Sequence, residues 1–311
     1  MANDEPLQAA WDDLRARLVA AGRLLPTSVE GLYGRDAMFE SVVHGLIREI
    51  DRLGSPDGPE HVDFPPLIPT TAFDTIGYLE TFPHLCGLVY SFDGDDRAHA
   101  TLLERFENGG GVDGLMSRAD LTLTPACCYP VYPMCSGELP IGGRTFQLSS
   151  YCYRHEPSRD PMRLQVFRQF ENVRLGTAEE VLGWREPWLG RAEKLLNELG
   201  LDVVSDVAND PFFGRRGRLM SMSQREQKLK IEFLVNVFGD EARTACVSVN
   251  YHQEHFGELF HISTADGSLA HSSCIGFGLE RCVVALFATH GTSVDKWPAP
   301  VRDRLLAATR S

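Results

Sequence analysis

A cluster of charged and aromatic residues in the middle of the chain most constrains what it can build. Arg154 and Glu156 come first, and after a short loop Arg163, Phe167 and Glu171 follow four residues apart. Arginine is permanently charged and grips phosphate through a planar fork, which lysine cannot imitate. A phenylalanine ring offers a face on which a base can stack. These residue types at these intervals predict a binding site for a purine nucleoside triphosphate.

A second motif, Gly-Phe-Gly-Leu-Glu-Arg, occupies residues 276–281 and ends in Arg281. The apolar residues that follow predict a helix from Leu279 to Ala288. The glycine pair is not the dinucleotide-binding fingerprint, because that signature needs a third glycine and an early βαβ unit. By itself the motif indicates a tight turn that opens a helix.

Strands and helices do not alternate regularly along the sequence. Hydrophobic periodicity predicts helices at Leu7–Leu25, Asp36–Leu53, Asp95–Asn108, Thr177–Gly200 and Leu279–Ala288. Strands or extended segments are predicted at His61–Pro69, Asp120–Cys128, Thr145–Arg154, Leu164–Leu175, Lys228–Val237 and Ala245–Tyr251. Strands that cluster between helices without βαβ repeats favour an α+β fold over a doubly wound sheet.

The overall charge argues against a nucleic acid as the partner. The chain has 30 basic and 43 acidic residues, which gives a net charge of −13, whereas nucleic-acid binding depends on neutralising phosphates. No apolar run approaches the roughly 20 residues that a membrane helix needs. The acidic N-terminus has no apolar signal segment. The expected location is therefore the cytoplasm.

Three residues near the two motifs could hold a metal ion. Cys128 precedes the first motif, Glu171 closes it, and Cys274 stands just before the second. Two thiolates and a carboxylate suit zinc, and three protein ligands leave a position open for an amine. The alternative is that the cysteines are buried thiols and that Glu171 pairs with an arginine. Cys127 competes with Cys128 for the ligand position.

His252 and His255, with Glu254 between them, form a second metal candidate. Their spacing differs from the His-Glu-x-x-His pattern of metalloproteases. We therefore interpret them as polar residues that flank a strand end or a substrate pocket.

The two motifs resemble motifs 2 and 3 of class II aminoacyl-tRNA synthetases, with Glu171 in place of the usual aspartate. Pro66 is the best match to the proline that ends motif 1. Over nearly its whole length the chain resembles the amino acid:carrier protein ligases, shortened homologues of the archaeal-type seryl-tRNA synthetases. The match includes Thr-Pro-Ala-Cys-Cys-Tyr-Pro at 124–130, Asp-Val-Ala-Asn-Asp-Pro-Phe-Phe at 206–213 and Ser-Gln-Arg-Glu-Gln-Lys-Leu-Lys at 223–230.

The resemblance implies a class II catalytic fold, an antiparallel sheet flanked by helices, in a single domain over residues 1–311. The first 60 residues would be a helical N-terminal part without a tRNA-binding arm. The family holds zinc with a Cys-Glu-Cys set and uses the cysteine before Tyr-Pro, which implies Cys128, Glu171 and Cys274 as ligands. Glu171 would also contact the substrate amino acid.

The resemblance also implies a role in ATP binding for each matching residue. Arg154 would contact the α-phosphate and Arg281 the γ-phosphate, and these two are the expected catalytic residues. Glu156 would accept a hydrogen bond from the adenine amino group, and Phe167 would stack against the ring. Mg²⁺ would accompany ATP. The other implied ATP-binding residues are Arg163, Leu164, Lys230, Ala245, Cys246, Val247 and Ser248.

The implied reaction activates glycine or alanine as an aminoacyl-adenylate and transfers it to the phosphopantetheine thiol of a holo carrier protein. The protein would be a homodimer, and neither tRNA nor a membrane is an expected partner. Two alternatives remain open: a truncated seryl-tRNA synthetase that acts on tRNA, and a non-catalytic paralogue, which altered motif arginines would signal. The densest basic stretch, a candidate surface for carrier docking, contains Arg215, Arg216, Arg218 and Arg225.

Overall fold

The computed structural model describes residues 5–208 and 229–307. Its helices are α1 Glu5–Ala20, α2 Ala37–Gly54, α3 Thr70–Ile76, α4 Tyr78–Thr81, α5 Asp96–Glu107, α6 Val131–Met134, α7 Ala178–Glu198, α8 His255–Phe260, α9 Leu279–His290 and α10 Ala299–Leu306. Its strands are β1 Leu24–Pro26, β2 Tyr33–Arg35, β3 Glu60–His61, β4 Leu67–Pro69, β5 Leu88–Phe92, β6 Met116–Leu123, β7 Gly137–Glu138, β8 Arg144–Tyr153, β9 Val166–Gly176, β10 Val203–Val207, β11 Lys230–Val235, β12 Thr244–Gln253, β13 Ile262–Ser263 and β14 His271–Gly278.

A seven-stranded sheet in the order β10-β11-β12-β14-β9-β8-β3 organises the molecule. Neighbouring strands are antiparallel, except at one edge, where β3 pairs with β8 in parallel. The structure thus confirms the predicted α+β class with an antiparallel sheet flanked by helices. The sequence patterns do not predict β14, although this strand joins β12 to β9 in the centre of the sheet.

Helices α2, α7 and α9 cover one face of this sheet. Alternate residues of the central strands, such as Phe170, Ile275 and Phe277, are buried in a core that also contains Trp188 of α7 and Phe287 of α9. Burial of each large apolar side chain of this kind contributes about 1.5–3 kcal/mol. Because successive side chains of a strand point to opposite faces, the residues between them point to the other side of the sheet.

The other face of the sheet is only partly covered. Helices α6 and α8 lie over part of it, where the ring of Tyr132 stacks on that of Phe256 with their centres 3.7 Å apart. These rings pack in a second core with Phe146, Leu148 and Val173 from the sheet. The remaining part of this face is open and forms the floor of a large cavity.

Two of the predicted helices begin at side-chain caps. The Asp36 carboxylate accepts a hydrogen bond from the Phe39 amide at 2.8 Å at the start of α2. At the start of α7, Thr177 and Glu180 form a reciprocal capping box. Such caps satisfy amide groups that the first helical turn leaves without partners, and they explain why these helices begin where the sequence predicts.

Several predicted boundaries are wrong for local reasons. The first helix ends at Ala20 rather than at Leu25, because Gly22 has a φ of +75°, a left-handed value typical of helix ends. The strand predicted at residues 120–128 is instead β6, and residues 124–128 form the turn that precedes α6. The extended segment at residues 61–69 is paired only near its ends, in β3 and β4. Helix α9 is followed by α10, which packs on α2.

The basic stretch from Arg215 to Arg225 lies outside the described residues, as do most of the family segments at 206–213 and 223–230. Within residues 5–208 and 229–307, no helix combines the length and hydrophobicity required to span a bilayer.

Candidate active site and metal centre

The open face of the sheet contains a cavity of about 520 Å³. Its walls come from β9, β11, β12 and β14, and from the segment that contains α3 and α4. Both sequence motifs contribute to it, because Phe167 and Glu171 lie on β9 and Arg281 lies at the start of α9. The cavity is therefore the place where the two motifs meet.

Three potential metal ligands meet in this cavity. The Sγ atoms of Cys128 and Cys274 and a carboxylate oxygen of Glu171 all lie within 4.8 Å of one another, and all three residues are buried. In the described parts of the chain, this is the one group of three or more such side chains that is spaced to bind a metal. We call it the Cys-Glu-Cys cluster.

Three different elements position the Cys-Glu-Cys cluster. Glu171 on β9 pairs with Gly276 on the neighbouring β14, and Cys274 lies two residues earlier on β14. Cys128 lies in the turn before α6, where its carbonyl accepts a hydrogen bond from the Val131 amide at 2.9 Å. Antiparallel pairing of β9 with β14 thus brings together residues from both motifs that are a hundred positions apart.

Gly276 gives the Glu171 carboxylate the space that it occupies. A β-carbon at position 276 would lie 3.3 Å from both Cγ and Oε1 of Glu171. Any side chain there would therefore press on the carboxylate, so the glycine serves close approach rather than a special backbone conformation.

Burial and the contacts among the three side chains shift the pKa values of the Cys-Glu-Cys cluster. Burial raises the pKa of the Glu171 carboxyl to about 8, and the nearby Cys274 sulfur adds to this effect. A hydrogen bond from the Cys128 thiol holds the pKa of the Cys274 thiol well below its ordinary value. The same contact, together with burial, raises the pKa of the Cys128 thiol.

The Cys-Glu-Cys cluster fits a thiophilic divalent cation. Its donors are two sulfurs and a carboxylate, which is a combination that zinc accepts. In addition, Oε2 of Glu171 is buried and accepts no hydrogen bond from any described residue. A buried carboxylate oxygen without a partner is costly, and a bound cation would remove that cost.

Cys127 is buried beside Cys128 but makes different contacts. Its amide donates to Oε1 of Gln169 at 3.1 Å, and its side chain does not belong to the Cys-Glu-Cys cluster. Burial raises the pKa of the Cys127 thiol well above its ordinary value. The geometry therefore places Cys128, and not Cys127, next to Glu171 and Cys274.

The two histidines of the second metal candidate take separate positions. His252 lies near the end of β12, and its Nε2 is 3.8 Å from the Cys274 sulfur. His255 is the first residue of α8, and burial lowers its pKa. Both line the cavity, which agrees with the interpretation that they flank a strand end and a pocket.

Arg154 and Arg281, the arginine pair, are partly buried and give the cavity a positive region. Arg154 donates from Nε to the Pro125 carbonyl at 3.0 Å, and its guanidinium lies 5.5 Å from the centre of the Phe167 ring. Arg281 donates to the carbonyls of Met162 at 2.9 Å and Ala245 at 3.1 Å. Burial, together with the charges of Arg163 and Arg154, lowers the pKa of Arg281. The arginine side chains thus repel one another, and an anion bound in the cavity would relieve that repulsion.

Some of the predicted ATP-binding residues line the cavity, and others do not. Glu156 and Arg163 lie on the loop between β8 and β9, form an ion pair at 3.2 Å and do not line the cavity. Leu164 is buried in the core that contains Phe146. The structure brings the following predicted residues together around the cavity: Arg154, Phe167, Lys230, Ala245, Cys246, Val247, Ser248 and Arg281.

Several cavity residues are absent from the sequence-based site. Gln169 lies between Phe167 and Glu171 on β9, and Asn250 follows Ser248 by two residues on β12. Both follow the two-residue alternation of a strand. Read along β9 and β12, this alternation predicts that Gln169 shares a face with Phe167 and Glu171, and that Asn250 shares a face with Ser248.

Comparison with solved structures identifies the class of fold. The chain has the catalytic fold of class II aminoacyl-tRNA synthetases, because it superposes on the seryl-tRNA synthetase of Methanopyrus kandleri with a TM-score of 0.80. That crystal structure, a complex with a tRNA, is 23% identical over 96% of this chain and 60% of its own. The seryl-tRNA synthetase of Pyrococcus horikoshii, crystallised with ATP, gives a TM-score of 0.64 at 17% identity, over 89% of this chain and 58% of its own.

Sequence comparison identifies the family within this class. Amino acid–acyl-carrier-protein ligase 1 of Bradyrhizobium diazoefficiens is 44% identical over 89% of this chain and 85% of its own length. Ligase 2 of the same organism is 43% identical over 88% of this chain and 83% of its own length. The type-2 serine–tRNA ligase of Methanopyrus kandleri is 27% identical, and the chain spans about half of that protein, 54%. No protein-family model matches.

The chain therefore belongs to the amino acid–acyl-carrier-protein ligase family, and it is a ligase.

Proposed function

We propose that this ligase uses ATP, supplied with Mg²⁺, to activate glycine or alanine and then transfers the aminoacyl group to the phosphopantetheine thiol of a carrier protein. One observation carries the proposal: the arginine pair and the Cys-Glu-Cys cluster line the same cavity. An anionic nucleotide and a small amino acid could therefore be held side by side. The names of the two bacterial relatives support the carrier protein as acceptor.

In the first step, a carboxylate oxygen of the amino acid attacks the α-phosphorus of ATP. The new P–O bond forms the aminoacyl-adenylate, and the bond to the β-phosphate oxygen breaks to release pyrophosphate. Arg154 would stabilise the charge that develops on the α-phosphate, and Arg281 would bind the γ-phosphate. The protein supplies no nucleophile to this step, so its contribution is positioning and charge stabilisation.

The adenine ring would stack on Phe167, which lies beside Arg154 on the cavity wall. Lys230 and the residues from Ala245 to Ser248 line the same cavity and would complete the nucleotide site. Glu156 and Arg163 are paired with each other at 3.2 Å, so contact with the nucleotide would require the loop between β8 and β9 to rearrange. Leu164 would support Phe167 from the core.

The amino acid would bind beside the Cys-Glu-Cys cluster. When bound there by Cys128, Glu171 and Cys274, zinc would supply an electrophilic position for the unprotonated α-amino group. Gly276 leaves Glu171 the room to face this position. The choice of glycine or alanine follows the family resemblance.

In the second step, the sulfur of the carrier's phosphopantetheine arm attacks the carbonyl carbon of the adenylate. A thioester forms, the thiol proton is released and AMP leaves. A truncated seryl-tRNA synthetase would instead transfer the group to a tRNA hydroxyl. The two functions share the first step and differ only in the acceptor.

Amino-acid-dependent exchange of pyrophosphate into ATP tests the first step. We expect exchange with glycine or alanine, and we expect Arg281→Ala to reduce it about 100- to 1,000-fold without a change in bound zinc. Arg243→Ala is the matched control, because Arg243 contacts Asp202 and Asp240 on the surface. Absence of exchange with every amino acid would contradict the proposal and favour a non-catalytic paralogue.

Acceptor labelling tests the second step. Radiolabelled glycine or alanine should be transferred to a holo carrier protein, but not to the same carrier without its phosphopantetheine arm. Labelling of tRNA in place of the carrier would contradict the proposed acceptor while leaving the activation step intact.

A further inference from the structure

We propose that His252 is a positioning residue of the metal centre: its Nε2–H donates a hydrogen bond to the Cys274 thiolate and holds that sulfur in place for metal binding. The inference deepens the proposed function and rests on it, because it requires the Cys-Glu-Cys cluster to bind a metal. It concerns a residue that is not itself in the cluster.

Contacts at both ring nitrogens determine how His252 can act. Its Nε2 lies 3.8 Å from the sulfur of Cys274, and its Nδ1 lies 3.1 Å from the hydroxyl oxygen of Ser272. A neutral imidazole carries one proton, so one ring nitrogen donates and the other accepts. If the Ser272 hydroxyl donates to Nδ1, then Nε2 must carry the proton, and that proton faces the sulfur.

The ring of His252 is held in this orientation by two aromatic side chains. The ring of Tyr132 meets it nearly at right angles, with centres 6.0 Å apart, and that of Phe256 does the same at 5.0 Å. Tyr132 and Phe256 are themselves stacked on each other. Rotation of the imidazole would disturb this packing, so the ring is preorganised toward Cys274.

The backbone also directs His252 toward the cluster. The pairing of β12 with β14 shifts register between Tyr251 and Gln253, and Gln253 has a φ of +55°. Such bulges redirect a side chain and are common beside active sites. His252, at this irregularity, has no regular partner on β14, and its side chain lies beside Cys274, whose regular partner on β12 is Asn250.

Asn250 makes a second hydrogen bond to the same sulfur, at 3.5 Å from Nδ2. Two N–H groups from one strand therefore face one buried thiolate, and each stabilises the negative charge on the sulfur. Partners of this kind orient a metal ligand, and their loss typically weakens metal binding about 10- to 100-fold.

Two substitutions distinguish the proposed hydrogen bond from a role of the His252 ring in packing alone. In His252→Gln the side-chain amide can replace Nε2 and still donate to the sulfur. In His252→Asn the shorter amide can reach only the position of Nδ1, next to Ser272. His271→Asn is the control, because His271 contacts Tyr251 and Glu254 and lies outside the cavity.

Zinc affinity, measured by competition with a chromophoric chelator, is the readout. We expect His252→Asn to bind zinc about 10- to 100-fold more weakly, and we expect His252→Gln and His271→Asn to remain close to wild type. The sulfur-to-metal charge-transfer band of the cobalt-loaded protein should change in His252→Asn. Thermal unfolding of each variant verifies that it is folded.

If His252→Asn binds zinc as tightly as wild type, or if His252→Gln is as weak as His252→Asn, the inference is wrong. Should His252→Asn fail to fold, Ser272→Ala provides the second test, because it releases Nδ1 and should also weaken zinc binding. Unchanged zinc affinity in a folded Ser272→Ala would equally overturn the inference. Wild-type protein that binds no zinc would instead refute the metal centre of the proposed function, and the inference with it.

Discussion

Cys127 and Cys128 are adjacent in the chain, yet only one of them faces the cavity. The turn before α6 directs Cys128 toward Glu171 and Cys274, while Cys127 is enclosed beside Gln169 and Cys152. Both residues are buried cysteines, and they differ in the direction of the side chain. Substituting each in turn therefore tests whether that direction determines metal binding.

We expect Cys128→Ala to abolish zinc binding, because it removes a third of the donor set, whereas Cys127→Ala should keep its zinc. Metal analysis of both purified variants gives the result directly. Urea unfolding serves as the control, since each substitution leaves a small cavity of similar size. Zinc loss in Cys127→Ala with zinc retained in Cys128→Ala would reverse the assignment.

Glu171 should make the stability of the metal-free protein depend on pH. Its pKa is 4.5 as an ordinary carboxyl and about 8 when buried in the fold. Between these values the folded protein holds a proton that the unfolded chain has released. The stabilisation is therefore complete below pH 4.5 and is lost as pH rises toward 8, by up to about 1.4 kcal/mol per pH unit.

The measurement is urea unfolding of chelator-treated wild type and Glu171→Gln across this pH range. The amide cannot ionise, so the difference in unfolding free energy between the two proteins isolates Glu171. We expect the stability of wild type relative to Glu171→Gln to fall as pH rises. A difference that does not vary with pH would mean that the Glu171 pKa is unperturbed.

At the scale of secondary structure, a buried charge network ties the two motifs to each other. Glu280, the first charged residue of α9, is completely buried. It accepts from the Arg168 amide at 2.6 Å and from Arg168 Nε at 2.7 Å, and it pairs with Arg35 at 3.3 Å. Arg168 also makes two hydrogen bonds to Glu40 of α2, at 2.7 and 2.9 Å. Because Phe167 and Arg281 are the immediate neighbours, this network sets their separation.

We expect Glu280→Ala to destabilise the protein by about 3–5 kcal/mol, because Arg168 and Arg35 would both lose the buried carboxylate that they contact. Urea unfolding measures the loss. Glu198→Ala is the matched control, since Glu198 pairs with Arg304 in an exposed position, and its unfolding midpoint should not move measurably. Equal midpoints for the two variants would show that the network does not hold the motifs together.

The elements that the sequence predicts correctly carry their own signals. Helices α2 and α7 have both an apolar stripe and a cap, and the central part of β8 alternates the apolar residues Phe146 and Leu148 with polar ones. Strand β14 lacks such a signal because the sheet and helices bury it on both faces, so small polar and apolar residues follow one another without alternation. Its position depends on pairing with β9 and β12, which only the folded chain specifies.

The candidate site likewise contains some residues that the sequence reveals and others that only the folded structure reveals. Arg154, Phe167 and Glu171 could be recognised from the sequence because their residue types and spacing are distinctive. His252 could not be assigned to the cluster, because its contact with Cys274 depends on how β12 pairs with β14 in the folded chain. The pairing of Arg163 with Glu156 likewise depends on how the connecting loop folds.

At the scale of the whole molecule, the N-terminal helices belong to the main core. Leu14 and Leu18 of α1 and Leu46 of α2 are buried together with Trp188 and Phe287. This shared core supports our proposal that residues 1–311 form a single domain.

We also propose that the protein is a homodimer. None of the side chains of α5, a helix that lies wholly in the described part of the chain, is buried. Leu103 and Phe106, one turn apart on α5, are 49% and 53% exposed, and we propose that the partner subunit covers this apolar pair. Sedimentation of wild type should give a dimer, and Leu103→Glu should shift it toward monomer. Leu182→Glu, on the exposed side of α7, should not.

The central claim is that the Cys-Glu-Cys cluster and the arginine pair act in one reaction. Its most direct test removes zinc from the wild-type protein, restores it in steps, and measures bound zinc and amino-acid-dependent pyrophosphate exchange in the same samples. We expect exchange to rise in proportion to bound zinc and to level off at one ion per chain. Full exchange by protein that contains no detectable zinc would contradict the account.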